Sequence, residues 1–315
     1  MNGKPLGRSG LTLPPIMFGG NVFGWTADPV ISFKLLDALM EAGLNAIDTA
    51  DVYSRWAPGH SGGESEAILG VWLKNRGGRD KVIVATKCGL EMLGKGQGLS
   101  KARITAAVEE SLVRLQTDYI DLYQAHRDDE ATPLEETMEA FAALVKQGKV
   151  RALGASNYSA ARLKAALDAS ARLGLPRFES LQPQYNLLER AEFEGELEQL
   201  VLREQIGVIN YYSLAAGFLT GKYRAGSDLA KVPRAGTVRK YFNAKGFAVV
   251  DALRAQAERL QATPGQVALA WQIARPSITA PIASATSLPQ LEELVKAAQL
   301  KLDTEAVEML DAISR

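Results

Sequence analysis

Asp48, Tyr53, Lys87 and His126 are four titratable side chains whose types fit a single reaction step. A free tyrosine titrates at about 10 and is a poor acid at neutral pH. A lysine beside it stabilises the phenolate and lowers that value, and an aspartate beside the lysine holds it charged when both are buried. A histidine supplies a further donor at the same point. Such a set is a proton donor aimed at a developing alkoxide. Taken singly, each residue also has an ordinary use. Asp48 can cap a loop, Tyr53 can be a half-buried aromatic, Lys87 can snorkel, and His126 can be a satisfied core imidazole. The chemistry depends on whether the fold brings the four together.

The pattern around them supplies a way. Short β-rich apolar runs lie at Pro15–Phe18, Asn45–Asp48, Val82–Thr86, Tyr119–Gln124, Arg151–Ala155, Leu181–Pro183, Val208–Tyr211 and Thr279–Ile282. Segments of helical periodicity alternate with them: Pro29–Ala42, Glu64–Lys74, Lys101–Leu115, Pro133–Gln147, Ala160–Leu173, Glu192–Arg203, Val249–Gln261 and Pro289–Ala298. Strands alternating with helices in this number predict an α/β fold, a (β/α)8 TIM barrel, in one domain over residues 1–315. Functional groups in such barrels sit at the C-terminal ends of strands. Strand two ends at Asp48 with Tyr53 in the following loop, strand three at Lys87 and strand four at His126. The four therefore meet on one rim. Two regions exceed a minimal barrel. "LGRSGLTLPP" reads as an N-terminal β-hairpin closing the barrel bottom, and Ala215–Phe247 reads as a long loop after strand seven, too rich in Gly, Lys and Arg for core.

Composition narrows the partners. Hydrophobic residues make up 47% and charged residues 23%, which suits a globular chain. Lys+Arg and Asp+Glu balance at 36 each, so no bulk attraction to nucleic acid or to an anionic membrane surface is expected. With one cysteine, Cys88, and two histidines, His60 and His126, a Cys/His zinc site is not expected. No apolar run has the length of a signal peptide core or a bilayer span, so a cytoplasmic location is the expectation. Small molecules are the expected partners, and nothing in the sequence sets an oligomeric state.

A proton donor with no base or nucleophile beside it implies that the second reactant is not a side chain. Hydride from a nicotinamide cofactor fits. No G-x-G-x-x-G follows a strand, and "GKGQG" at Gly94 to Gly98 reads as a loop, so a dinucleotide site has to be built on the rim itself.

At this point the chain resembles the aldo-keto reductase family over nearly its whole length. "GLNAIDTADVYSRW" with "GGESEAILG", "VIVATK" and "SLVRLQTDYIDLYQAH" are similar to its signatures, and "LGASN", "LQPQYNLLER" and "GVINYYSLAAGFLTGKY" match its later strand ends. The resemblance implies a barrel that binds NADPH, with NADH as an alternative, across the rim. It implies Asp48, Tyr53, Lys87 and His126 as the catalytic tetrad. Ser156, Asn157 and Gln182 are then expected on the nicotinamide carboxamide, Tyr211 stacked on its ring, and Gly20 and Asn21 lining the same end. Tyr212, Ser213, Leu214, Gly217 and Lys222 would follow the pyrophosphate, with Arg239 added. Ile282, Ser284, Thr286, Gln290 and Glu293 are the matching positions after strand eight, where Leu294 replaces a common asparagine and no Lys or Arg occurs from Pro281 to Val295.

The implied activity is reduction of an aldehyde or ketone, with Phe23, Trp25 and Trp56 as an aromatic substrate wall or as simple loop packing. His60 reads as an exposed loop residue. Two other classes stay open on the residues: a lyase using Lys87 as a Schiff base, and a cofactor-binding regulatory subunit similar to the channel β-subunits within the same family.

Overall fold

The computed structural model describes residues 3–230, 232 and 234–315. Strands β1 (Lys4–Pro5) and β2 (Thr12–Leu13) form an antiparallel hairpin. Eight further strands make one parallel sheet: β3 (Met17–Gly19), β4 (Ala46–Asp48), β5 (Ile83–Cys88), β6 (Ile120–Ala125), β7 (Val150–Ser156), β8 (Phe178–Gln182), β9 (Gly207–Val208) and β10 (Ile282–Ala283). Neighbours follow chain order from β3 to β9, and β10 returns beside β3. The Val208 carbonyl accepts from the Thr279 and Ala280 amides at 2.9 and 3.2 Å, and the Asn210 carbonyl accepts from Ile282 at 2.8 Å. These bonds close the sheet into the expected (β/α)8 barrel.

Alternation along the strands sorts side chains to two faces. Ile47, Val84, Tyr123 and Leu153 join the large cluster shared with the surrounding helices. Met17, Ala46, Ala85, Leu122 and Ala152 point inward and share a second cluster with Leu6, Leu11 and Leu13 of the hairpin. The hairpin thus plugs the barrel bottom. Its approach is close: a Cβ on Gly207 would meet Leu6 Cδ1 at 2.6 Å and the Gly7 amide at 2.9 Å. Two residues further along the same faces come Asp48, Lys87, Gln124 and Gly154, so the interior turns from apolar to polar toward the C-terminal rim.

The helices are α1 (Pro29–Glu41), α2 (Glu64–Arg76), α3 (Lys101–Leu115), α4 (Leu134–Lys146), α5 (Ala160–Leu173), α6 (Glu196–Glu204), α7 (Ala235–Arg239), α8 (Ala244–Arg259), α9 (Pro264–Ala274), α10 (Leu288–Gln299) and α11 (Thr304–Ser314). Among the described residues, none is long and apolar enough to cross a membrane.

Two departures from the sequence reading have physical causes. The segment Pro264–Ala274 was not separated from its surroundings by periodicity, because it is apolar nearly all round and buries seven of its residues. Its start is nevertheless written locally: Thr263 and Gln266 form a complete capping box. The segment after β9 is not bare loop either. Ala215–Thr220 forms a 3-10 turn, and Phe218 lies within 6.4 Å, ring to ring, of Tyr223, Tyr241, Phe242 and Phe247. The segment holds a small aromatic core, which its bulk composition concealed.

Candidate active site

Asp48 ends β4, and Lys87 lies on β5 directly beside Gln124 on β6. Lys87 is 0% exposed, and its ammonium spends all three donors. Nζ donates to Asp48 Oδ2 at 2.6 Å, to the Thr49 carbonyl at 2.8 Å and to Tyr53 Oη at 3.3 Å. Burial alone lowers the lysine pKa. Asp48 and Tyr53 outweigh that, so its net shift is upward and the ammonium persists. The other Asp48 oxygen, Oδ1, accepts from Gln182 Nε2 at 2.9 Å and from Gln124 Nε2 at 3.3 Å.

Tyr53 sits in the turn that follows, and the turn is tied down by the backbone. The Tyr53 carbonyl accepts from the Gly63 and Ser65 amides at 2.9 and 3.2 Å, and the Asp51 amide donates to the Lys87 carbonyl at 3.1 Å. The Glu64 carboxylate accepts from the amides of Ser54, Ser61 and Gly62 at 2.8–3.2 Å. The phenol departs from the sequence expectation in one respect. Burial pushes its pKa up further than Lys87 pulls it down, and Asp48 adds to the rise. Tyr53 is therefore held protonated, the form a proton donor needs.

The Tyr53 ring meets the His126 ring edge-on at 5.9 Å between centroids. The His126 amide donates to the Cys88 carbonyl at 2.8 Å, and its carbonyl accepts from Asn157 Nδ2 at 3.0 Å. Burial, then the charges of Lys87, Arg127 and Arg55, holds the imidazole well below its ordinary pKa. It is neutral at pH 7, and its Nδ1 is buried without a partner among the described residues. The arrangement brings a protonated phenol, a buried ammonium behind it and a neutral imidazole to one point. Asp51, the other carboxylate of the turn, faces away. Its Oδ2 lies 3.3 Å from Arg103 Nη2, and burial, helped by Glu66 against Arg103 and Arg114, raises its pKa to about 7.

The residues expected around the cofactor lie on the same rim but differ in how they are engaged. Ser156 and Gln182 end neighbouring strands in register. Ser156 Oγ donates to the Gln182 carbonyl at 2.9 Å, and Asn157 Nδ2 donates to Ser156 Oγ at 3.1 Å. Tyr211 Oη donates to Asn157 Oδ1 at 2.8 Å, whereas Tyr212 is 36% exposed. Gly20 opens a 3-10 turn, Gly20–Val22. Its neighbour Asn21 contacts Ser284 Oγ at 2.7 Å and turns its amide oxygen to Arg234 Nη2 at 2.8 Å. Ser213 is buried on the Asn210 carbonyl at 3.2 Å, Leu214 is half-buried, and Lys222 packs at Gly217. Arg239 is exposed on the last turn of α7, whereas Arg234 of the same segment meets Asn21 at the rim. The sequence reading missed Arg234. Its signal was weak, one arginine among several in a cation-rich stretch.

Ile282, the first residue of β10, is buried in the interior cluster, and after β10 Gln290 Oε1 accepts from the Thr286 amide and hydroxyl at 2.9 and 3.2 Å. Glu293 accepts from Thr263 Oγ1 at 2.6 Å and Gln266 Nε2 at 3.0 Å, bracing the α9 cap. Leu294 is buried.

The proposed aromatic wall loses one member. Phe23 is 0% exposed and stacks on Phe18 at 5.5 Å, so it is core. Trp56 is 44% exposed, packs edge-on to Tyr53 at 5.4 Å and meets Trp25 at 5.7 Å. Arg234 lies over the Trp25 ring at 5.4 Å. His60 is partly buried 3.9 Å from Glu64, closer to the site's supporting turn than an exposed loop residue would be.

The lysine also bears on the lyase reading. A Schiff-base lysine has to shed its proton, and Lys87 is held charged by three bonds and an upward shift.

Comparison with known proteins agrees with the geometry. The family model described as the aldo/keto reductase family matches residues 15–315. The uncharacterized oxidoreductase YrpG of Bacillus subtilis is 36% identical over 98% of this chain and 94% of its own length. A probable voltage-gated potassium channel subunit beta of Oryza sativa subsp. japonica is 33% identical over 99% of this chain and 96% of its own. An aldo-keto reductase of Alternaria alternata is 34% identical over 99% and 91%. With its barrel, its buried lysine and a match that spans nearly every residue, the chain belongs to the aldo/keto reductase family and is an oxidoreductase of that family.

Proposed function

We propose that the protein reduces aldehydes or ketones to alcohols with NADPH, Tyr53 giving the proton to the carbonyl oxygen. The observation that carries this reading is the Lys87 ammonium, bonded at once to Asp48 and Tyr53 in a fully buried position. Lys87 stabilises the phenolate left after proton transfer, and Asp48 keeps Lys87 charged so that it can. The neutral His126 orients the carbonyl oxygen at the same point. The bound cofactor supplies hydride. Residues fitted to hold it include Lys222 and Arg234. Neither has a carboxylate partner among the described residues: burial and then the charge of Arg234 lower the Lys222 pKa, and burial, only partly offset by Tyr212, Tyr53 and Tyr223, lowers that of Arg234. Uncompensated cations suit the phosphates of a dinucleotide. Ser156, Asn157 and Gln182 offer amide and hydroxyl groups for the carboxamide, and Ser284, Thr286 and Gln290 offer neutral donors for a ribose phosphate. Trp25 and Trp56 favour apolar or aromatic substrates.

Parallel titrations with NADPH and NADH, followed by tryptophan fluorescence, test the cofactor. Tighter NADPH binding supports the reading, comparable affinities make the enzyme dual-specific, and absence of both removes it. Tyr53→Phe should then cost turnover far more than cofactor affinity. The relatives named as channel β-subunits favour a second reading, a cofactor-binding subunit with little turnover. Tight binding of the cofactor with no consumption across a panel of aldehydes would select it.

A further inference from the structure

Gln124 takes no part in the mechanism above, yet it touches it. The side chain is 0% exposed on β6, in register with Lys87 on β5. Two residues earlier on the same inward face, the chain places Leu122. An apolar residue would fill the barrel equally well, and a buried amide is costly unless it is bonded. Both bonds of this amide go to the site. Nε2 donates to Asp48 Oδ1 at 3.3 Å, and Oε1 accepts from Gln182 Nε2 at 3.3 Å. Gln182 in turn donates to the same Asp48 oxygen at 2.9 Å. The neighbouring strand makes room. Gly154 of β7 stands in register with Gln124, and a Cβ there would meet Gln124 Cγ at 3.0 Å and Ser180 Oγ at 2.2 Å.

We propose that Gln124 is a positioning residue for the proton transfer. With Gln182 it pins one oxygen of Asp48, so that the other stays on the Lys87 ammonium and the lysine stays charged behind Tyr53. Without that pin the carboxylate is free to turn about its last bond and to share its charge less completely with Lys87. The lysine, desolvated and less well paired, then gives up its proton more readily.

The inference rests on the reductase reading, and its test separates the two. NADPH-dependent reduction of nitrobenzaldehyde is followed against pH for the parent, Gln124→Met and Gln124→Glu, with NADPH affinity from fluorescence quenching. Gln124→Met keeps the volume and removes both bonds. It should lower kcat about tenfold, the worth of a hydrogen bond to a charged group, and leave the NADPH dissociation constant within about twofold. The alkaline limb of the pH profile, which belongs to the coupled Lys87 and Tyr53, should move to lower pH. Gln124→Glu sets a second buried carboxyl against Asp48 Oδ1, where two carboxylates cannot both ionise, so it stays protonated and donates to Asp48 as the amide did. It should leave the alkaline limb close to that of the parent. A limb displaced by the variant that removes the donor and kept by the one that retains it is beyond a residue that merely fills the barrel. An active parent whose folded variants show no displacement, or the same displacement in both, overturns the role of Gln124 alone. If Gln124→Met does not fold, Gln124→Asn, whose shorter amide cannot reach Asp48, takes its place. A parent that binds NADPH and reduces no carbonyl overturns the reductase reading, and the role of Gln124 with it.

Discussion

The polar well inside the barrel and the segment that follows β9 face the same rim, and they solve opposite problems. In the well, charge is balanced before any ligand arrives: Lys87 has Asp48, and Asp48 has Gln124 and Gln182. Past β9, Lys222 and Arg234 stand without carboxylates among the described residues: Arg234 meets the Asn21 amide and the Trp25 ring, and its charge lowers the pKa of Lys222. A balanced network holds geometry for a proton that moves a short way. An unbalanced pair, on the reading proposed above, keeps its charge for the phosphates of a cofactor that comes from solution. The contrast predicts that damage to the well falls on turnover and damage to the segment falls on binding.

Lys87→Met breaks the well and carries the largest expected effect. Loss of the charge behind the proton donor should lower kcat by roughly 10²–10⁴-fold with little change in NADPH affinity. It also strands the buried Asp48 carboxylate, at a cost of about 3 kcal/mol in stability. Asp48→Asn combined with Lys87→Met removes the stranded charge and should recover most of that stability in denaturant titrations, but none of the turnover. If the double variant regained activity, the pair would be structural.

The outer side of the same turn gives a pH test. Asp51 is buried, and its pKa in the folded protein is about 7 against an ordinary 3.8. Between those values the folded protein binds a proton that the unfolded chain has released, so stability falls as pH rises. The contribution is complete below about pH 4 and is lost as pH approaches about 7, up to roughly 4 kcal/mol. Asp51→Asn should flatten the slope of unfolding free energy over that interval, whatever it does to absolute stability. An unchanged slope would mean that Arg103 and Arg114 hold Asp51 ionised throughout.

How much of this was written in the sequence depends on the range of the interaction. The barrel, and the meeting of Asp48, Tyr53, Lys87 and His126 on one rim, were legible because each strand announces its own end, and a strand end in this fold fixes a place on the rim. Gln182 was legible as a rim residue, but not its inward bond to Asp48, which spans 134 positions of the chain. Phe23 stayed open between substrate wall and loop packing because an aromatic in a rim loop has the same appearance whether it turns to solvent or stacks on Phe18. Arg234 was missed for a related reason. Periodicity cannot choose among the cations of an irregular segment, and the contact with Asn21 that singles it out is long-range.

Arg234→Gln probes the other half of the contrast. Losing one charge-assisted contact should weaken NADPH binding about tenfold while kcat at saturating cofactor stays within about twofold. Because Arg234 lies over Trp25, the variant should also change the tryptophan emission of the free protein. A fall in kcat as large as the loss of affinity would dissolve the division between the well and the segment.

The smallest effect is expected at Glu293, where the sequence pointed to the cofactor and the side chain is bonded to the start of α9. The carboxylate accepts from Thr263 and Gln266, the two residues of the capping box, so its first duty is to the helix. Glu293→Gln keeps the shape and removes the charge. It should cost about 1 kcal/mol or less in stability, the scale of one cap interaction, and alter NADPH affinity less than Arg234→Gln does. A carboxylate that also met the cofactor would behave otherwise, because removing a negative charge near a ribose phosphate should tighten NADPH relative to NADH. The ratio of the two dissociation constants therefore reads the position of Glu293 directly. An unchanged ratio keeps it with α9, and a ratio shifted toward NADPH draws the rim of the cofactor site out to the second turn of α10.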